Sequence, residues 1–322
     1  MENTENLTCN KSVPELDKKE KKRRTADQVD FRRRLIKYYA ADKQRYTLDV
    51  EEDRKIWCPV SKKYLENTLV TAVHIVPHAI GEMNITHLFG KKNENEEAGH
   101  SYSEKNGLLL DAMAEKTMAK AQIAIVPADG AENSGKRLKV VVFDRSLLKK
   151  IPIDPDDFDW STMDGRELEF KNDNRPDLRY LYFQFLLTLF RRRRLECTGW
   201  RSDLARYARE DMWGSPGKWL RGSSLRAIAR RVGHVKNLED FLETSELPIF
   251  DDDEIDINEE ELIAEEVVAA YQSVESQAEK RFGEDEDEDE DTDEDTDEDD
   301  VDDEYDEDDE DDEDDEYSAD GY

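Results

Sequence analysis

Short apolar runs separated by polar spacers set the pattern of residues 54 to 143, and their period changes along the way. An apolar strand pattern runs from Thr68 to Ile75, and residues 54 to 76 are expected to form the two strands of a hairpin. A three-to-four period then predicts a short helix from Ala79 to Leu88 ended by Gly90. The run KKNENEEAGHSYSE has no period and reads as a surface loop. A stretch rich in Ala, Met, Glu and Lys predicts a helix from Leu110 to Ala121, followed by strands over Gln122 to Val126 and Arg137 to Phe143 on either side of a turn-rich spacer. These two strands are expected to extend the sheet of the hairpin.

Helical periods dominate on both sides of this stretch. Residues 13 to 45 place Phe31, Leu35, Tyr38 and Tyr39 on one stripe, after a basic cluster at Lys18 to Arg24. Beyond Asp154, Pro176 opens a helix to Arg194 that ends in four arginines, more cations than a helix dipole needs. Further helices are expected at Ser202 to Arg209, Ser224 to Val232 and Glu259 to Lys280. The fold class is therefore α+β: a small strand-and-helix module followed by a mainly helical region. The chain divides into an N-terminus (1–12), a basic helix (13–45), the module (46–150), an Arg-rich helical part (151–245), an acidic helix (246–283) and an acidic tail (284–322).

Charge changes the picture at the C-terminus. Residues 284 to 320 hold 30 acidic side chains and no Lys or Arg, a composition that cannot bury a core and is expected to be disordered. The formal net charge is -35, yet residues 1 to 248 carry 45 basic against 40 acidic side chains, about +5. A basic body tethered to a polyanion suits nucleic acid as a partner, with the tail as a solubiliser, an internal competitor or a docking site for basic proteins such as histones. Cys9, Cys58 and Cys197 are far apart and form no zinc-ribbon spacing. The start lacks an apolar signal core and no apolar run spans a bilayer, so no membrane association is expected and the location is read as intracellular, nucleus or cytoplasm.

Chemistry concentrates between Cys58 and Pro127. A strand delivers His74 to the turn at Pro77; Asn106 and Gly107 open a second segment that carries Glu115. A histidine supplies a base for water and a carboxylate supplies an oxygen ligand for Mg²⁺ or Mn²⁺. Asn106 is a turn former and also a candidate for orienting His74 or binding metal, and His78 is a candidate surrogate ligand. Arg191, Arg192, Arg193, Arg194, Arg226, Arg230 and Arg231 are candidate phosphate contacts. For each, a plain structural role competes: a satisfied core histidine, an Asn-Gly turn, a solvated Glu or Arg.

The blocks Cys58 to Lys62, Val73 to Pro77, Phe89-Gly90, Asn106 to Leu110 and Ile123 to Pro127, with Arg175-Pro176 and Trp213 to Leu225 downstream, resemble the HNH (His-Asn-His) nuclease domain proteins of filamentous fungi, of the ββα-metal or His-Me finger type. The resemblance spans about residues 30 to 245. It implies a ββα module, endonuclease activity, a divalent Mg or Mn ion and His74 and Asn106 as catalytic positions, with Glu115, Asn106 and His78 toward the metal. The pattern is partly degenerate. Val73 replaces the acidic or His ligand often found before the catalytic histidine, Glu115 stands in the place of the last histidine, Ala119 replaces a following Asp, and Ser61-Lys62 replaces Thr-Gly. Two functions stay open: a metal-dependent endonuclease, and a non-catalytic module that binds nucleic acid or a basic protein and uses the acidic tail as effector.

Overall fold

The computed structural model describes residues 18–43, 54–90, 99–128, 136–150, 159–213, 220, 222–236 and 257–282. The tail from Glu284 lies outside the described residues, as do the N-terminal 17 residues and most of the loop after Gly90.

Helix α1 (Lys18–Tyr38) forms where the apolar stripe predicts it. It buries Phe31, Leu35 and Ile36, with Tyr39 just beyond, against β1 (Lys55–Cys58), Val70 and Leu109. Ala40, at φ 48°, ends it in the left-handed region. Strand β1 pairs antiparallel with β2 (Lys63–Glu66), and Lys62 makes the turn at φ 56°.

The next strand leaves that hairpin. β3 (Val70–His74) pairs with β4 (Gly107–Asp111), more than 30 residues on, in the register Val70↔Asp111 to His74↔Gly107. Leu110, expected as the first residue of a helix, is strand with Leu108 and Leu109 because β3 supplies their ladder partners. Helix α3 starts only at Ala112, where Asp111 caps it by accepting from the Met113 N–H at 2.8 Å. It ends at Ala119 and packs on both strands, so β3, β4 and α3 form the expected ββα unit. Helix α2 (Glu82–Phe89) lies in the connection, bounded by Gly81 and Gly90 at φ 86° and 79°.

Strands β5 (Ile123–Pro127) and β6 (Leu138–Val142) pair with each other. They do not extend the module's ribbon: the described strands form three separate two-stranded sheets. Both are buried at all five positions, and helix α5 (Leu178–Arg194) packs against β5. After the short α4 (Trp160–Met163), α5 is the central helix, buried continuously from Tyr180 to Arg192. Helices α6 (Trp200–Tyr207), α7 (Glu210–Trp213), α8 (Gly222–Gly233) and α9 (Ile257–Phe282) complete the helical part. The acidic α9 packs on α8 and α3 through Ile263, Ala264, Val267 and Ala270, which are buried. Among the described residues no helix is long and apolar enough to cross a membrane.

Candidate nuclease site

The end of β3 places His74 opposite Gly107, and three elements close around its ring. Phe31 of α1 stacks on it, with centroids 4.0 Å apart and planes 7° from parallel. Tyr102 meets it edge-on, and His78 lies 5.0 Å away between centroids. Close packing here depends on Gly107: a Cβ at that position would lie 2.6 Å from Phe31 and 2.7 Å from Leu35.

Two hydrogen bonds fix the imidazole. The Ser101 carbonyl lies 2.9 Å from Nδ1. A carbonyl only accepts, so Nδ1 carries the proton and, in the neutral ring, Nε2 presents a lone pair. The Gln28 amide nitrogen donates to Nε2 at 3.3 Å and faces His78 Nδ1 at 3.5 Å. Burial, with the charge of His78 and Arg34 adding to it, pushes the His74 pKa down to about 3 against the pull of the Ser101 bond. At neutral pH the ring is uncharged.

The loop that supplies Ser101 is itself held. Glu82 at the start of α2 accepts from the N–H groups of His100 at 2.5 Å and Ser101 at 2.7 Å. Burial raises its pKa, but these N–H groups outweigh that and hold the carboxyl below its ordinary value, so it is ionised and a strong acceptor. Asn106 is fully buried between the two strand ends. Its Oδ1 accepts from Val76 N–H at 2.9 Å, and its Nδ2 donates to the Val76 and Ser101 carbonyls at 3.0 and 3.2 Å. The amide thus ties the turn after His74 to the loop that orients His74.

Glu115 is buried on the first turn of α3. That helix begins at the Val70 end of the β3–β4 ribbon. Among the described residues no three His, Cys, Asp or Glu side chains gather where they would hold one ion. His74 and His78 are together; Glu115 does not join them, and both functional atoms of Asn106 are taken by backbone. The described residues alone do not assemble a ligand set for a Mg²⁺ or Mn²⁺ ion.

The candidate phosphate contacts separate into two kinds. Arg191 and Arg192 are buried: Arg191 pairs with Glu275 of α9 at 2.5 Å and donates to the Ala119 carbonyl at 2.8 Å, while Arg192 reaches the Thr198 carbonyl at 3.3 Å and Asp203 at 3.9 Å. Arg193 donates to the Gly233 carbonyl. Arg230 and Arg231 are exposed but paired with Glu261, at 2.8 and 2.7 Å, and Arg231 also with Glu265 at 2.9 Å. Arg226 is exposed and Arg194 partly so. Arg191 and Arg192 line an open cleft of about 450 Å³ with Lys120 and Arg145.

The ββα unit and its histidine lie within a stretch that is similar to a known family. Residues 58–126 match the family model described as HNH endonuclease. The matched stretch runs from Cys58 at the end of β1 to Val126 in β5 and contains His74, His78, Asn106 and Glu115. It associates this stretch with a nuclease-type, nucleic-acid-directed function. Comparisons with curated proteins and with solved structures return no match. Gln28, Phe31 and Arg34 lie outside the matched HNH stretch, and no feature of the sequence marks them as neighbours of His74: the Gln28 contact bridges 46 residues and forms only when α1 folds onto the ribbon.

Proposed function

We propose that this chain is an HNH-type endonuclease that hydrolyses phosphodiester bonds in nucleic acid, with His74 as the base. The observation that carries this reading is the fixed tautomer: the Ser101 carbonyl holds the proton on Nδ1, so Nε2 is the atom able to take a proton from water. Asn106 acts as a positioning residue, since its amide sets the loop that presents Ser101. In the described state the base is shielded. Gln28 occupies Nε2, and a pKa near 3 makes the ring a poor base. When Gln28 swings aside and solvent reaches the ring, loss of the desolvation penalty raises the pKa toward 6.5, where a histidine accepts a proton well at neutral pH. Arg194 and Arg226, with Lys120 and Arg145 at the open cleft, are the cations that would meet phosphates.

A second reading has its own support. Saturation of Asn106 by backbone and the scatter of carboxylates favour a non-catalytic module that binds nucleic acid, with the acidic tail engaging a basic protein. Labelled duplex DNA, single-stranded DNA and RNA, incubated with the full chain with and without divalent ions, separate the two. The endonuclease reading expects internal cleavage that falls about a hundredfold or more in His74→Ala. Binding without cleavage under every condition supports the second reading and overturns the first.

A further inference from the structure

One face of the β1–β2 hairpin gathers aromatic rings and ammonium groups that lie far apart in the sequence. The backbone at 41–43 runs along β1: Trp57 N–H donates to the Ala41 carbonyl at 2.8 Å and Lys43 N–H to the Lys55 carbonyl at 3.1 Å. With the register Trp57↔Tyr64 and Lys55↔Glu66, this pairing puts Trp57 and Tyr64 in one cross-strand row and Lys43, Lys55 and Glu66 in the next, on the same face. Lys171 arrives from the segment before α5, its Nζ 3.1 Å from the Trp57 ring centroid and 5.5 Å from that of Tyr64, while Lys43 Nζ lies 5.5 Å from the Tyr64 centroid. We propose that this face is a docking surface for single-stranded nucleic acid, with one base stacked on Tyr64 and the flanking phosphates held by Lys43, Lys55 and Lys171.

The rings are held in place before any ligand arrives. Trp57 meets Tyr64 at 4.9 Å between centroids and 64° between planes, and its Nε1–H donates to the Glu169 carbonyl at 2.6 Å, so a stacking base has little left to order. Trp57 is buried and Tyr64 only half-buried, which makes Tyr64 the ring a base can reach. Charge on this face complements a phosphate backbone: Lys43, Lys55, Lys62 and Lys171 stand against Glu66 and Glu169, the latter 2.9 Å from Lys171. Lysine stems are flexible, so the ammonium groups that now lie over the rings can swing to phosphates as a base takes their place. A duplex keeps its bases stacked on one another, and an open aromatic face therefore selects an unpaired strand. The surface is built from 41–43, the hairpin and Lys171, and uses neither the histidines nor the arginines of the candidate nuclease site.

The proposal rests on nucleic acid as the partner and not on cleavage, so binding is measured in EDTA. The full-length chain is titrated into a fluorescein-labelled single-stranded DNA of about 12 nucleotides, and into its duplex, at several salt concentrations while anisotropy is followed. The expected result is tighter binding of the single strand than of the duplex. Tyr64→Ala should weaken single-strand binding about tenfold, and Tyr64→Phe, which keeps the ring, should retain it. Lys43→Gln, an exposed change that leaves the rings in place, should lower the salt slope of single-strand binding by about 0.7. A single-strand affinity unchanged in folded Tyr64→Ala, or a salt slope unchanged in Lys43→Gln, would overturn the proposal. Duplex bound as tightly as single strand would overturn this surface and leave the nucleic-acid reading standing, whereas no binding of either form would overturn both.

Discussion

Partial burial of a neutral His74 makes the protein acid-sensitive in a way a single variant isolates. The folded-state pKa, about 3, lies below the ordinary value of 6.5, so protons favour the unfolded chain. The destabilisation is absent above pH 6.5 and grows as pH falls from 6.5 toward 3. Each pH decade below the ordinary value costs about 1.4 kcal/mol, so His74 alone should remove about 2 kcal/mol between pH 8 and pH 5. The substitution to compare is His74→Phe, which keeps an aromatic ring against Phe31 and cannot titrate. Urea unfolding of both proteins at pH 8 and pH 5 gives two pH dependences, and their difference belongs to His74 together with its coupling to neighbouring His78. The wild type should lose about 2 kcal/mol more than the variant. Equal losses would mean that His74 is hydrated and protonates freely in the folded state, and the shielded site would be refuted.

Other substitutions address the supports of the site. Asn106→Ala leaves Val76 N–H and the Val76 and Ser101 carbonyls without their side-chain partner, and should cost about 2–4 kcal/mol in urea unfolding. Arg191→Met should destabilise the fold by about 1–3 kcal/mol through loss of the Glu275 pair. The same variant should leave the salt slope of duplex binding unchanged, whereas a true phosphate contact would lower it by about 0.9. Deleting residues 284–322 removes a polyanion held at high local concentration and should tighten duplex binding at low salt, with the gain shrinking as salt rises; equal affinities at low salt would end the competition idea.

Local signals carried much of the fold into the sequence. A three-to-four period and strong formers mark α1, α5, α8 and α9, and Gly90 marks the end of α2. The apolar pattern from Thr68 to Ile75 likewise marks β3, and the Asn-Gly pair marks the opening of the segment that the structure shows to begin as β4. What composition misjudged was decided by partners distant in sequence. Leu108 to Leu110 extend because Thr71, Ala72 and Val73 lie opposite, and β3 abandons β2 for the same reason. The four arginines that close α5 read as a basic patch in one dimension, yet Arg191 to Arg193 are spent on Glu275, Asp203 and backbone carbonyls. The shielding of His74 was illegible for a similar reason: Gln28 and Phe31 belong to an ordinary amphipathic stripe, and only the docking of α1 brings them to the ring.

The central claim is that His74 is a base whose Nε2 is capped by Gln28, and the most direct measurement is the plasmid nicking rate of Gln28→Ala beside that of the Gln28→Ala/His74→Ala double variant. Uncapping the base predicts a rate above wild type for the single variant, and a return to background, about a hundredfold lower or more, for the double variant. Equal rates for the two would contradict the account.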